Sequence, residues 1–230
     1  VTEPVPPDGA LVRPIKLGHA NAFLIRGKRP VLVDTGLPGN TPAILAVLKE
    51  EGYSPWDLGL IIITHAHIDH FGNAGALAGA TGAPVLVHSQ EAEALSRGES
   101  LPAVPASFTG KVMRFMIGKH APRPELGIKA VIRVDAPYRL DAFGIDGEIL
   151  PTPGHTGGSL SVILGTGEAI VGDLVMGMVL ARKATLPHFA EASEDVKKSI
   201  RTVTEKKPAI VYTGHGGPFS CRDLEALIPG

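Results

Sequence analysis

The sequence predicts an α/β fold made of two halves that share one element order. Short apolar runs of strand length alternate with stretches of helical periodicity along all 230 residues. Glycine and proline, 28 and 20 residues, fall between these runs without a period, so they mark turns and not disorder or a collagen repeat. The order strands, helix, strand occurs in both halves, although the sequence itself does not repeat.

In the first half, residues 11–17, 22–26 and 30–33 read as strands, joined at Gly18 and at Gly27-Lys28. Residues 40–52 read as a helix: Asn40 or Thr41 can cap it, Ile44, Leu45, Val47 and Leu48 form its apolar face, and Gly52 ends it. Residues 60–63 are a fully apolar strand, and the small, alanine-rich residues 71–80 suit a closely packed helix. Residues 84–87 read as a strand and 91–96 as a helix. Residues 96–124 differ, with Pro and Gly at their ends and helical spacing over 107–119 that puts Val112, Phe115, Met116 and Lys119 on one side. In the second half, residues 130–134, 144–150, 160–164 and 169–171 read as strands. A helix follows over 193–206, with Ser193 as its cap and Glu194-Asp195 in its first turn, then a strand over 209–212 and a short helix over 220–227.

An apolar content of 44% and a charged content of 20% are those of an ordinary globular chain. A net charge of −1 supplies no basic excess for nucleic acid or an anionic membrane. No apolar run approaches the ~20 residues of a membrane helix. The single cysteine, Cys221, permits no intrachain disulfide, and residues 1–8 lack the pattern of a signal peptide. These features set the expectation of one domain over residues 1–230, in the cytoplasm, acting on a small-molecule substrate without nucleic-acid or membrane partners. Self-association is left open.

The chemistry is concentrated in His65-Ala66-His67-Ile68-Asp69-His70, directly after the apolar strand. A loop at the end of a rigid strand is where side chains converge. Packing gives no reason for three imidazoles and a carboxylate in six residues, whereas neutral imidazole and carboxylate are ligands of zinc and similar ions. Further candidates stand at strand ends, each after a glycine: Gly154-His155, Gly172-Asp173 and Gly214-His215. Glycine there fits sharp turns that aim a side chain into a crowded site.

With these residues in hand, the sequence resembles the metallo-β-lactamase superfamily from Asp34 to His215. The resemblance implies a four-layer αββα sandwich with two metal ions at one edge between the sheets. It implies that His65, His67 and His155 hold the first ion, and that Asp69, His70 and His215 hold the second. Asp173 would bridge both ions, with a hydroxide opposite. Asp34, in Val33-Asp34-Thr35-Gly36, would brace the ligand loop without touching metal. The implied function is a dinuclear hydrolase of a small ester, thioester or lactone. Its attacking group is hydroxide formed at the metals, and Asp69 orients it or moves its proton. Zinc is the first expectation, with iron or manganese as alternatives.

Within the superfamily, the ligand set resembles those of glyoxalase II and the quorum-quenching lactonases. The glutathione-binding tail of the former and the pocket tyrosine of the latter have no counterpart in the sequence. An iron-containing redox member, a phosphodiesterase and a non-catalytic binding protein braced by metal are the alternatives. Residues 96–124 are expected to form a lid, with Phe108, Met113, Phe115, Met116 and Ile117 as an apolar wall. Met176 and Met178, just past Asp173, are expected at the same pocket. His19, His88, His120 and His188 read as structural or exposed; His188 is the first of them expected to reach substrate, and His19 the second.

Overall fold

In the computed structural model, which describes residue 4 and residues 6–117, 121–178 and 183–228, the strands of the first half pair in strict chain order. β1 (Val12–Lys16), β2 (Asn21–Ile25) and β3 (Val31–Val33) form an antiparallel meander. β4 (Leu60–Ile62), β5 (Val85–His88) and β6 (Val131–Val134) add to it in parallel. Parallel neighbours require crossovers. Those crossovers contain α1 (Thr41–Glu50), α2 (Ile68–Phe71), α3 (Ala74–Thr81), α4 (Ala92–Arg97) and α5 (Phe108–Ile117).

The second half begins with antiparallel neighbours: β7 (Tyr138–Arg139), β8 (Gly147–Pro151), β9 (Leu160–Leu164) and β10 (Glu168–Ile170). A hairpin of β11 (Met176–Met178) and β12 (Lys183–Thr185) precedes α6 (Ser193–Glu205). β13 (Ile210–Tyr212) then returns parallel to β10, and α7 (Cys221–Glu225) follows.

Alternation within the buried strands divides the core into three slabs, which are the three interfaces of four layers. Leu24, Leu32, Ile61 and Ile63 face Ile44, Leu48, Phe71, Leu77 and Leu95 of the first helical layer. Phe23, Val33, Leu60 and Ile62 face Ile149, Val162, Ile170 and Tyr212 between the two sheets. Ile163, Val171 and Val211 face Val196, Ile200, Val203 and Leu224 of the last helical layer. Burial of one such side chain contributes about 1.5–3 kcal/mol. The architecture is the αββα sandwich that the sequence led us to expect.

Several local expectations are corrected. The helix expected over 71–80 starts at Ala74, and Phe71 instead ends the separate short helix α2. Neither Asn40 nor Thr41 caps α1 through its own side chain. Asn73 Oδ1 instead accepts the amides of Gly39, Asn40 and Thr41 at 2.9, 2.9 and 3.3 Å. Ser193 is the first residue of α6 and Ala192 occupies its cap position. The strand expected over 144–150 starts later, at Gly147, because a 3₁₀ turn over Asp141–Phe143 ends on Gly144 at φ 72°.

Candidate metal centre

Each candidate ligand stands where a buried strand gives way to a turn. After β4 the chain passes through Thr64 and His65, and His67 occupies the cap position of α2. The first turn of α2 then presents Asp69 and His70 together. His155 follows β8, Asp173 follows β10 and His215 follows β13, so both sheets deliver ligands to one edge. Gly172 has φ 53° and Gly154 φ 138°, as sharp turns demand. Gly214 has a different reason: a β-carbon there would overlap Asp173 Oδ1 and the His70 ring.

The seven side chains converge. His67 Nδ1 lies 2.9 Å from His65 Nε2 and 3.1 Å from His155 Nε2. His215 Nε2 lies 3.3 Å from both Asp69 Oδ2 and Asp173 Oδ2. Asp173 also reaches His70 Nε2 at 3.5 Å through Oδ1 and His155 Nε2 at 3.8 Å through Oδ2. It therefore touches both groups of histidines.

The surroundings set the tautomers. His155 Nδ1 donates to the Phe189 carbonyl at 2.8 Å, and His215 Nδ1 to the His19 carbonyl at 3.0 Å. His70 Nδ1 donates to Asp34 Oδ2 at 2.8 Å. Thr64 Oγ1 gives its proton to the same Asp34 oxygen at 2.8 Å, which leaves it to accept from His65 Nδ1 at 3.1 Å. In the neutral rings, four Nε2 lone pairs thus point inward at two carboxylates. His70 Nε2 and Asp173 Oδ1 are buried without a hydrogen-bond partner. Lone pairs and carboxylates facing each other repel unless a cation lies among them, so these residues fit divalent metal.

Without metal, protons take that role unevenly. Burial pushes the His65, His67 and His155 rings down, helped at His65 by His70 and at His67 by His155; His67 falls to about 3. Burial also opposes charge on His70 and His215, but the neighbouring carboxylates together outweigh it, Asp173 foremost. Asp34 and Asp69 add to its effect on His70, and Asp69 to that on His215, which rises to about 10. Asp69 and Asp173 are lowered despite burial, Asp69 foremost by His70 and Asp173 foremost by His215.

Asp34 is fully buried and sits at φ 59°, a region non-glycine residues rarely enter. That turn lets its carboxylate take the Thr64 amide at 2.8 Å together with the Thr64 hydroxyl and His70. Glu91, a residue sequence reasoning passed over, ties the ligand loops to each other. Its Oε2 accepts the Ala66 amide at 2.7 Å and its Oε1 the Gly158 amide at 3.0 Å, and burial raises its pKa.

A cleft of about 750 Å³ opens over the cluster. His67, Asp69, His155, Asp173 and His215 form its floor, and Ile68, Leu101, Pro102, Met113, Met176 and Phe189 its apolar walls. His19 lines it and His188 does not, which reverses the order expected for the remaining histidines. The His188 carbonyl accepts the Ala106 amide instead, tying the 96–124 segment to the connection after β12. Phe108 and Phe115, expected to face the pocket, point to solvent at 82% and 91% exposure, because the α5 surface that reaches the cleft carries Met113 and Arg114. His120 and the side chains of Met116, Ile117 and Met178 lie outside the described residues. Among the described residues, no helix is long and apolar enough to cross a membrane.

Over residues 15–215 the chain matches the family described as the metallo-beta-lactamase superfamily. It is similar to the probable metallo-hydrolase YflN of Bacillus subtilis, 28% identical over 219 residues that cover 85% of this chain and 78% of that protein. It is also similar to the probable metallo-hydrolase MJ0888 of Methanocaldococcus jannaschii, 27% identical over 86% of this chain and 87% of that one. Among solved structures, an archaeal metallo-beta-lactamase superfamily protein from Sulfolobus tokodaii superposes with a TM-score of 0.69 at 22% identity, over 94% of this chain and 84% of that one. At that identity the likeness speaks for the fold alone.

Proposed function

The chain belongs to the metallo-β-lactamase superfamily, and from that membership we propose that it is a hydrolase holding two divalent cations, zinc first, that cleaves a small ester, thioester or lactone. The observation that carries the reading is the inward set of four imidazole lone pairs and two carboxylates, with backbone and Asp34 partners fixing the rings from outside. The relatives named as probable metallo-hydrolases support the reaction class.

Bound cations supply Lewis acidity and lower the pKa of water toward neutrality. His65, His67 and His155 would hold one ion, and Asp69, His70 and His215 the other, with Asp173 shared between them. Of the two carboxylates on the cleft floor, Asp173 is taken up between the histidine groups, and Asp69 would orient the attacking water and take its proton. The acyl part of the substrate lies against Ile68, Leu101, Met113, Met176 and Phe189, which exclude bulk water from the reacting bond. Residues 96–124 serve as the lid: Leu101, Pro102 and Met113 come from them.

The deciding experiment measures metal content by elemental analysis together with turnover on esters, thioesters, lactones and phosphodiesters. Two ions per chain and hydrolysis of an acyl substrate are expected, with Met113→Ala shifting acyl preference while both ions stay bound. One ion per chain under metal-replete conditions overturns the dinuclear reading. Turnover confined to phosphodiesters, or oxygen consumption by an iron-loaded form, moves the chain to another reaction class. Full metal content without turnover on any substrate leaves a metal-braced binding protein.

A further inference from the structure

We propose that the imidazole of His19 is an additional ligand at the second metal position, beside Asp69 and His215. The inference rests on the two-cation reading above and extends it to a residue outside the His65–His70 motif and its partner loops.

His19 sits on the turn between β1 and β2, which closes through the Leu17 amide and the Ala20 carbonyl at 3.3 Å. The turn is fastened to the His215 loop. The Asn21 amide donates to the Gly214 carbonyl at 2.8 Å, and Asn21 Nδ2 donates to the Thr213 and Gly216 carbonyls at 3.0 and 3.1 Å. The His19 carbonyl takes the Nδ1 proton of His215, so backbone and side chain of one residue serve the same ligand position. The His19 ring stands edge-on to His215, centroids 5.3 Å apart, and its Nε2 lies 3.5 Å from Asp69 Oδ2. One ligand atom from each of His19, Asp69 and His215 falls within 4.8 Å of the others. With its Nδ1 proton committed to the carbonyl, neutral His215 offers Asp69 a lone pair, and a cation among the three atoms satisfies all of them.

The donor count separates the two positions. His65, His67, His155 and Asp173 give the first position four protein donors, the number a tetrahedral zinc site takes. Asp69, His70, His215 and Asp173 give the second position four, and His19 makes five before any water. A count of five or six nitrogen and oxygen donors suits iron(II) or manganese better than tetrahedral zinc. His19 therefore raises the donor count at the second position above that of a tetrahedral site, whichever divalent ion fills it.

The test uses the whole chain, stripped of metal and titrated with cobalt(II), with calorimetry and visible absorption as readouts. His19→Ala keeps the backbone carbonyl that orients His215, and the ring it removes is 63% exposed, so the fold should persist. The parent should bind two ions. The variant should bind the second more weakly, by at least the roughly tenfold that loss of even an outer hydrogen-bond partner costs. Its cobalt absorption should intensify, because cobalt absorbs more strongly as its coordination number falls, and added imidazole should restore the parent spectrum. His19→Asn, which retains polarity, should behave as His19→Ala does. A parent that binds two ions with both variants matching its second-step affinity within twofold and its spectrum overturns the assignment of His19 alone. A parent that binds one ion overturns the two-cation reading and this inference together.

Discussion

Asp34 Oδ2 and His70 Nδ1 share a 2.8 Å hydrogen bond from which solvent is wholly excluded. The carboxylate fixes the proton on Nδ1 and so turns Nε2 toward the metal position. Asp34→Asn tests this cleanly, because asparagine also tolerates the positive φ at this residue. Its amide keeps the shape but loses an acceptor. Metal affinity should fall about 10–100-fold, measured by competition with a chromophoric chelator, while circular dichroism stays that of the parent.

Glu91 predicts a different loss. Glu91→Ala strands the buried Ala66 and Gly158 amides, and each unsatisfied donor costs about 1–3 kcal/mol. The ligand loops that these amides belong to would then lose their shared brace. Thermal denaturation should show a lower Tm both with and without metal. A Tm unchanged in the metal-free form would mean that the brace contributes nothing to the fold.

Asp173 stands between the two groups of histidines, so on the proposed two-cation reading its charge would matter to both ions. Asp173→Asn nearly keeps its shape and removes that charge. Two cations then repel with less compensation in a site that salt screens poorly. At least one ion should bind more weakly, and turnover should drop steeply. Asp135→Asn, at a carboxylate 71% exposed and outside the cluster, should match the parent. A turnover within about twofold of the parent, under half a kcal/mol in barrier, with both ions retained, would remove Asp173 from the bridging role.

The metal-free protein should be most stable near pH 6.5. His65, His67 and His155 have lowered pKa values, His67 to about 3, so the unfolded chain binds more protons than the folded one below 6.5, and stability falls with acid. His70 and His215 are raised, His215 to about 10; their contribution is complete below 6.5 and is lost as pH climbs through about 10. Urea melts of chelator-treated protein across pH 4–10 should trace a maximum with both limbs. Bound metal displaces the two histidine protons, so the alkaline limb should flatten in the loaded protein.

The candidate ligands could be picked out in the sequence because each pairs a rare donor type with a strand end: His65 to His70 after β4, His155 after β8, Asp173 after β10, His215 after β13. The four layers came from the family resemblance; the unbroken apolar run Leu60 to Ile63 reported only a strand buried on both faces. Glu91 was not legible, because its amide partners lie 25 and 67 residues away and a glutamate in a helical stretch reads as solvated surface. Asn73 was hidden likewise, capping a helix more than 30 residues upstream. In the sequence His188 ranks ahead of His19 because it follows Asp173 in the chain, and chain proximity misleads. Only the packing of the β1–β2 turn against the His215 loop put His19 at the cleft.

The carbonyl that holds the His215 ring lies 196 residues earlier in the chain. On the proposed reading, ligands drawn from such distant segments would make a bound ion a cross-link between the two halves as well as a reagent. A ligand that binds only the folded form stabilises it by about 4 kcal/mol at a thousandfold excess over its Kd. Scarcity of metal would then shorten the lifetime of the polypeptide itself, by exposing its opened form to proteases, before any shortage of turnover was felt.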